Sequence, residues 1–186
     1  MQKLKPLLQL NKPHLVEYAK LHFAKLVIFD RDQTLILDKG YTHALEDLNF
    51  LEGALEAIVF ANSIGAGVAI ATNQSGVGRG LFSLQEMEMF HKQLVDQVHA
   101  KTGVQISAIS ACLHLPESKC SCRKPEPGLI LSLLSKLGVS KEHTVFLGNS
   151  DTDLKAGMNA GVPSYLASGE DLIPALKKWS SAIDSY

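Results

Sequence analysis

The chain predicts a single α/β domain of three layers, a mostly parallel β-sheet held between two layers of helices. Two observations predict it. Short apolar runs at 26–29, 67–71, 106–113, 144–147 and 162–166 read as buried strands, and helical spacing fills stretches between them. Strands that alternate with helices in this way make βαβ units, and therefore parallel pairing. Right-handed crossovers then distribute the helices over both faces. The 186 residues are enough for one domain with a sizeable core.

Taken in order, residues 1–24 read as an N-terminal extension and 25–186 as the domain. In the extension, Pro13 followed by Leu15, Val16, Tyr18, Ala19, Leu21 and His22 predicts a short packing helix. Leu26 to Phe29 form the first strand, and Asp30 leaves it. A loop follows that carries Asp38, Lys39, Gly40, Tyr41, Thr42 and His43. Ala54, Leu55, Ile58, Val59 and Phe60 space a helix over 53–61. The second strand, 67–71, ends at Thr72-Asn73-Gln74-Ser75, and Gly76, Gly78 and Gly80 mark a loop. Ser83 with Glu86 three positions on makes a capping box. It opens a helix to about Ala100, whose Leu84, Met87, Phe90, Leu94, Val95 and Val98 face belongs to the core. After the third strand, 106–113, comes a segment with clustered cysteines. Pro125 and Pro127 start a helix over 128–137, which Gly138 ends. The fourth strand, 144–147, closes in Gly148-Asn149-Ser150-Asp151-Thr152-Asp153, with a helix to about Asn159. Residues 162–166 give a fifth strand and 172–180 a last helix. There is no internal repeat and no low-complexity run.

Composition narrows the function classes. Apolar residues make up 46 % and charged residues 20 %, as in an ordinary soluble protein. A net charge of −1 offers no electrostatic case for nucleic acid or an anionic membrane surface. No apolar run approaches the ~20 residues of a membrane helix. The basic start, Met1 to Asn11, has too short and interrupted an apolar part for a signal peptide. A cytoplasmic monomer is expected, with neither nucleic-acid nor membrane partner.

The chemistry gathers at strand ends. Asp30 and Asp32 close the first strand, and residues i and i+2 of an extended segment point the same way. Alone, such a D-x-D is more often a turn than a site, since Asp favours turns. Thr72 and Asn73 close the second strand, and Asn149, Asp151 and Asp153 the fourth. Parallel strands bring all three ends to one sheet edge, where open α/β sheets bind ligands. Two carboxylates with an amide oxygen from Asn149 suit Mg²⁺, a hard ion that seeks oxygen. Thr72, Lys124 and loop amides suit phosphate oxygens. One carboxylate then remains to attack phosphorus.

This ordered set resembles the haloacid dehalogenase (HAD) superfamily of phosphohydrolases, whose pattern is D-x-D-x-T, a Ser or Thr, a Lys, and an acidic fourth strand end. The resemblance runs from about Phe23 onward. It implies a HAD-like three-layer fold, with Asp30 as nucleophile forming an aspartyl-phosphate. Asp32 would be general acid and then general base, while Thr72 and Lys124 would hold the phosphoryl group. Mg²⁺ would be bound by Asp30, Asp32 and Asn149, with Asp153 as a further candidate. The chain departs from the pattern at Gln33, where glycine is usual, and at Asn149, where aspartate is usual. A neutral amide in that place predicts weaker Mg²⁺ binding.

Cys112, His114, Cys120 and Cys122 form a second constellation. Three thiolates and an imidazole make a closed tetrahedral set for structural Zn²⁺, with no position left for water. Such an ion would pin a loop and aim Arg123 and Lys124. The other histidines, His22, His91, His99 and His143, read as surface or helix residues.

The zinc loop narrows the resemblance to the subgroup of heptose 1,7-bisphosphate phosphatases and histidinol-phosphatases. The stretches Asp38-Lys39-Gly40-Tyr41 and Thr72-Asn73-Gln74-Ser75 are similar to the heptose enzymes. The resemblance implies substrate contacts at Asp38, Lys39, Gly40, Tyr41, Asn73, Gln74, Ser75, Arg123 and Ser150, and Arg31 lies between the two aspartates. Ser150 stands where lysine is often found. The short 112–122 loop is closer to the histidinol-phosphatase pattern. Arg123 offers a fork for a second phosphate, and no stretch is long enough for a large cap domain. The expectation is removal of the 7-phosphate from a heptose 1,7-bisphosphate. Histidinol-phosphate hydrolysis is the alternative, and a non-catalytic sugar-phosphate-binding protein stands in a different class.

Overall fold

The computed structural model describes residues 11–183. The basic start at 1–10 lies outside them. Six strands form one sheet: β1 (His14–Glu17), β2 (Lys25–Phe29), β3 (Ala66–Asn73), β4 (Ile106–Cys112), β5 (Thr144–Gly148) and β6 (Ser164–Leu166). Their order across the sheet is β1-β4-β3-β2-β5-β6. Every pairing is parallel except that of β1 with β4. The predicted three-layer α/β fold is therefore present, with the five expected strands and one more.

The additional strand corrects the reading of the extension. Residues 14–17 are extended, not helical, and pair antiparallel with Ala108 to Ala111. Tyr18 N–H and Ala19 N–H continue the contact to the Ser107 carbonyl. Without this ribbon β4 would be an edge strand with a row of unmet backbone groups. That demand comes from the sheet, not from the local residues, so it was invisible in their spacing.

The helices are α1 (Ala54–Ser63), α2 (Ser75–Arg79), α3 (Leu84–Thr102), α4 (Gly128–Leu137), α5 (Asp151–Ala160) and α6 (Leu172–Ile183). The short α2 occupies part of the stretch read as a glycine loop; Gly80, left-handed at φ 72°, ends it. The capping box at α3 forms as expected, with Glu86 N–H donating to Ser83 Oγ and Ser83 N–H to the Glu86 carboxylate.

Two apolar layers follow from the crossovers. On one face, α1, α3 and α6 cover Val27, Phe29, Val68, Ile70 and Val145, with Trp179 deeply buried among them. On the other, α4 and α5 cover Leu26, Ile28, Ala69, Ala71 and Phe146. Alternate residues of the central strands serve opposite faces, which is why β2 and β3 are almost uniformly apolar. The carboxyl ends of β2, β3 and β5 are thereby held in fixed register, Phe29 beside both Ile70 and Leu147.

Candidate active site

Asp30 follows β2 directly, its N–H bonded to the Leu147 carbonyl. Its carboxylate is buried and meets Lys124 Nζ at 2.6 Å. The same ammonium reaches Asp153 Oδ1 at 2.6 Å and the Ala71 carbonyl at 3.1 Å. Burial pushes the Asp30 carboxyl up to about 7; Lys124 opposes the rise, while Asp153 and Asp32 add to it. For Lys124, burial pulls the ammonium down, but Asp30 and Asp153 together outweigh it and the net shift is upward. The cation stays charged because it neutralises two acids.

The site is assembled from segments far apart in sequence. Asn73 clamps the Lys124 backbone twice: its Nδ2 donates to the Lys124 carbonyl and its Oδ1 accepts the Lys124 N–H. Gln74, buried, donates to both Asp32 Oδ2 and Thr72 Oγ1 at 2.9 Å. Thr72 Oγ1 is itself 3.4 Å from Asp32 Oδ2. Asp153 is at once the cap partner of Ser150 at the start of α5 and the second acid on Lys124. Room for it depends on Gly148, where a Cβ would lie 2.5 Å from the Asp153 carboxyl carbon.

Asp30, Arg31, Asp32, Asp38, Gly40, Tyr41, Thr72, Asn73, Gln74, Lys124, Ser150 and Asp153 line one cavity of about 310 Å³. Most expected site residues thus converge. Four do not line it. Lys39 points to the surface and pairs with Asp47 at 2.7 Å. Ser75 is buried at the start of α2. Arg123 lines an adjacent cavity of about 430 Å³, which shares Lys124 with the first. Asn149 is exposed, and its amide oxygen accepts the Thr34 hydroxyl at 3.3 Å.

The residues present suit a divalent cation. Three carboxylates, Asp30, Asp32 and Asp153, face two cations, Lys124 and Arg31, which leaves room for one further positive charge. Both Asp32 side-chain oxygens are already bonded. Its main-chain carbonyl takes no part in the two bonds that frame it, Gln33 N–H to Ile36 O and Ile36 N–H to Arg31 O. That carbonyl, an Asp30 oxygen and the Asn149 amide oxygen are hard donors of the kind Mg²⁺ takes.

Gln33 takes the conformation that glycine usually supplies. Its φ is +55°. Its carbonyl accepts Ser168 Oγ, and its side chain donates to the Asp38 carbonyl. These bonds offset a left-handed strain of roughly 1–2 kcal/mol, so the loop keeps its path without glycine.

At the zinc set, Cys112, His114, Cys120 and Cys122 are all buried, with ligand atoms within 4.8 Å of one another. The three sulfurs are 3.4–3.6 Å apart. A disulfide would need about 2.05 Å; a tetrahedral ion about 2.3 Å from each sulfur needs separations near ~3.7 Å. The spacing fits zinc. The Cys112 thiol is pushed down to about 5, chiefly by its bond with Cys122 and then by His114 and Cys120. Gly128 lets α4 press on this loop, since a Cβ there would lie 2.4 Å from the Ser121 carbonyl oxygen. Asn11 ties the loop from the other side through Ser121.

His91 was not among the residues expected at the site. It lies on α3 as expected, but it is only 2 % exposed and bonds Arg31. The signal was legible: Met87, His91, Leu94 and Val98 share one helical face, so a histidine sits within the buried stripe.

Known proteins agree with this geometry. A family model of HAD-hydrolase-like proteins matches residues 121–183. A D-glycero-beta-D-manno-heptose-1,7-bisphosphate 7-phosphatase of Helicobacter pylori is 32 % identical over 160 residues, covering 86 % of this chain and 92 % of its own. An enzyme of the same name from Pseudomonas putida is 36 % identical, covering 76 % and 81 %. Among solved structures, a D,D-heptose 1,7-bisphosphate phosphatase from B. bronchiseptica, complexed with magnesium and phosphate, superposes with a TM-score of 0.72. It is 31 % identical and covers 83 % of this chain and 86 % of its own. A HAD-like phosphatase from Mesorhizobium loti shares the fold at a TM-score of 0.81 and 22 % identity, covering 94 % of each chain. With Asp30, Lys124 and Asp153 gathered at one sheet edge, the chain belongs to the haloacid dehalogenase superfamily and is a phosphatase.

Proposed function

We propose that this phosphatase removes the 7-phosphate of D-glycero-D-manno-heptose 1,7-bisphosphate. The observation that carries the reading is the Asp30–Lys124–Asp153 cluster at the floor of a cavity sized for a small sugar phosphate. Support comes from the names of relatives that the chain matches over most of their length. The adjoining cavity with Lys119, Arg123 and Lys124 supplies positive charge for a second phosphate.

In this reading Lys124 and Thr72 hold the phosphoryl oxygens. The ionised Asp30 carboxylate attacks phosphorus; the P–O bond to the sugar breaks, and Asp32 gives its proton to the leaving alkoxide. Asp32 then takes a proton from the water that attacks the aspartyl-phosphate, which frees Asp30 and inorganic phosphate. Mg²⁺, held by Asp30, the Asp32 carbonyl and Asn149 with Asp153 behind, supplies positive charge to the phosphoryl oxygens when bound. Zn²⁺ at Cys112, His114, Cys120 and Cys122 is structural and fixes the segment that delivers Lys124. Asp38, Gly40, Tyr41 and Ser150 face the sugar.

The acting unit is one domain of residues 25–186, with the extension completing its sheet edge, and it works as a cytoplasmic monomer. No helix among the described residues is long and apolar enough to cross a membrane.

Phosphate release with Mg²⁺ over heptose 1,7-bisphosphate, histidinol phosphate and common sugar phosphates tests the reading. Heptose 1,7-bisphosphate is expected to give the highest kcat/KM. Asp30→Asn is expected to lower kcat by on the order of 10⁴ or more, the scale on which loss of a nucleophile registers. Preference for histidinol phosphate would overturn the substrate. Equal, negligible release by wild type and Asp30→Asn on every compound would leave a binding protein.

A further inference from the structure

We infer that His91, acting through Arg31, is a positioning residue for Asp32. The inference rests on the proton-transfer role of Asp32. Arg31 is 1 % exposed, among the largest fully buried side chains of the protein. Its guanidinium gives Nε and Nη2 to Asp32 Oδ1 at 2.9 and 2.8 Å, Nη2 also to the Thr42 carbonyl at 2.8 Å, and Nη1 to His91 Nε2 at 3.1 Å. It lies over the Phe90 ring, 4.9 Å from the centroid. A guanidinium has five N–H donors and no acceptor. Four contacts are therefore already committed inside the protein. Although Arg31 borders the cavity, its bonds serve Asp32 before any substrate.

His91 closes this arrangement. Arginine only donates, so His91 Nε2 must accept, which places the ring proton on Nδ1 and keeps the imidazole neutral. Burial, and then the neighbouring Arg31 charge, hold the imidazole well below its ordinary value, in keeping with that tautomer. Phe90 and His91, adjacent on α3, thus fix the plane and the outer end of the guanidinium. Its inner end fixes Asp32 Oδ1, while Gln74 and Thr72 hold Oδ2. The carboxylate is gripped on both oxygens by protein groups. Its orientation toward the leaving oxygen is set from behind, by a helix that contributes no residue to the cavity.

Leaving-group dependence tests this. An alkoxide leaving group needs the Asp32 proton; p-nitrophenolate departs without one. His91→Leu removes the acceptor, and His91→Met is the second apolar variant should the leucine protein not fold. His91→Gln places a carbonyl oxygen near the position of Nε2. In either apolar variant the first-turnover release of the sugar from heptose 1,7-bisphosphate is expected to slow about 10- to 100-fold, the cost of misplacing a general acid by about an ångström. The first-turnover burst of p-nitrophenolate, which precedes the hydrolysis of the aspartyl-phosphate that both substrates share, should stay within about threefold, with His91→Gln recovering most of the loss on the alkyl substrate. Glucose 6-phosphate serves as the alkyl substrate where the heptose compound is not turned over, which separates a wrong substrate from a wrong role for His91. Equal losses on both leaving groups, no loss at all, or a Gln variant no better than the apolar ones would overturn the inference. So would an Asp32→Asn enzyme whose first-turnover release slows equally for both leaving groups, because Asp32 would then not be the acid.

Discussion

The sheet-edge site and the zinc loop solve the same problem, holding charged groups in fixed places, by opposite means. At the sheet edge, Asp30, Thr72, Lys124 and Asp153 come from four distant segments and meet because parallel strands end together. Most of their charge is balanced by the protein itself, through Lys124 and Arg31. The zinc set is confined to residues 112–122, and its three cysteines pack against the apolar layer under α4 and α5. There four buried ligands could take a metal that would complete the ordering. The two meet at one point: Cys122 lies two residues before Lys124, so the metal-dependent loop delivers the cation on which the sheet-edge site depends. Replacements at the sheet edge should then spare the fold and remove chemistry, whereas replacements in the loop should damage both.

The largest effect tests that asymmetry. Cys122→Ser breaks a closed four-ligand set, and structural zinc contributes folding free energy outright. Zinc content should drop below half an equivalent and Tm should fall by about 10 °C or more, on the basis of several kcal/mol in a chain of this size. Activity should fall with it through misplacement of Lys124. Asp30→Asn, in contrast, should keep a full equivalent of zinc. A Cys122→Ser protein with unchanged Tm and zinc would show that the loop is ordered without metal.

Next comes the pH response of the sheet edge. In the folded protein Asp30 is raised to about 7 from an ordinary 3.8. Between those values the folded state holds a proton that the unfolded chain has released. Stability is therefore fully present below about pH 4, is lost as pH rises toward 7, and is level above it. Protein dialysed free of Mg²⁺ but retaining zinc should lose a few degrees of Tm from pH 5 to 7, on the order of 2 kcal/mol. Asp30→Asn should flatten the profile. A wild-type Tm that rises over this window would contradict the burial argument.

How far the two regions could be read in advance differs for the same reason that they are built differently. The zinc set was legible because its ligands are close in sequence and of restricted type. Asp30 and Thr72 were legible because strand ends carry them, and strand ends follow from apolar runs; Lys124 was legible from its place just after the cysteine cluster. What escaped depended on tertiary neighbours. His14 to Glu17 became a strand because β4 needed a partner, and Asn73 became a clamp on Lys124 only once β3 and the zinc loop were adjacent. Lys39, expected at the substrate, has Asp47 within reach and turns to it. His91 stood in the buried stripe of α3, but nothing local shows that Arg31 meets it there.

The metal at the sheet edge offers a smaller test. Asn149 gives an amide oxygen where a carboxylate would add a charge. Asn149→Asp should tighten Mg²⁺ by about tenfold, since ligand charge sets affinity at oxygen sites. Titration calorimetry on protein retaining its zinc reads this directly. An unchanged Kd would mean that Asn149 is not a ligand, in keeping with its present bond to Thr34.

The smallest effect concerns Gln33, the other departure from the family pattern. The left-handed backbone there costs a non-glycine residue roughly 1–2 kcal/mol. Against that stands the side-chain bond to the Asp38 carbonyl, worth ~1 kcal/mol, and glycine would add entropy to the unfolded chain. The Ser168 bond is to the Gln33 carbonyl and survives either way. These contributions nearly cancel, so Gln33→Gly should change stability by less than ~1 kcal/mol, measured by urea unfolding. The informative readout is KM. Gln33 anchors the carbonyl of Asp38, and Asp38 and Gly40 border the cavity, so freeing that anchor should raise KM by about two- to threefold, a bond of partial strength, with kcat unchanged. A fall in kcat instead would mean that Gln33 supports Asp32 rather than the substrate loop.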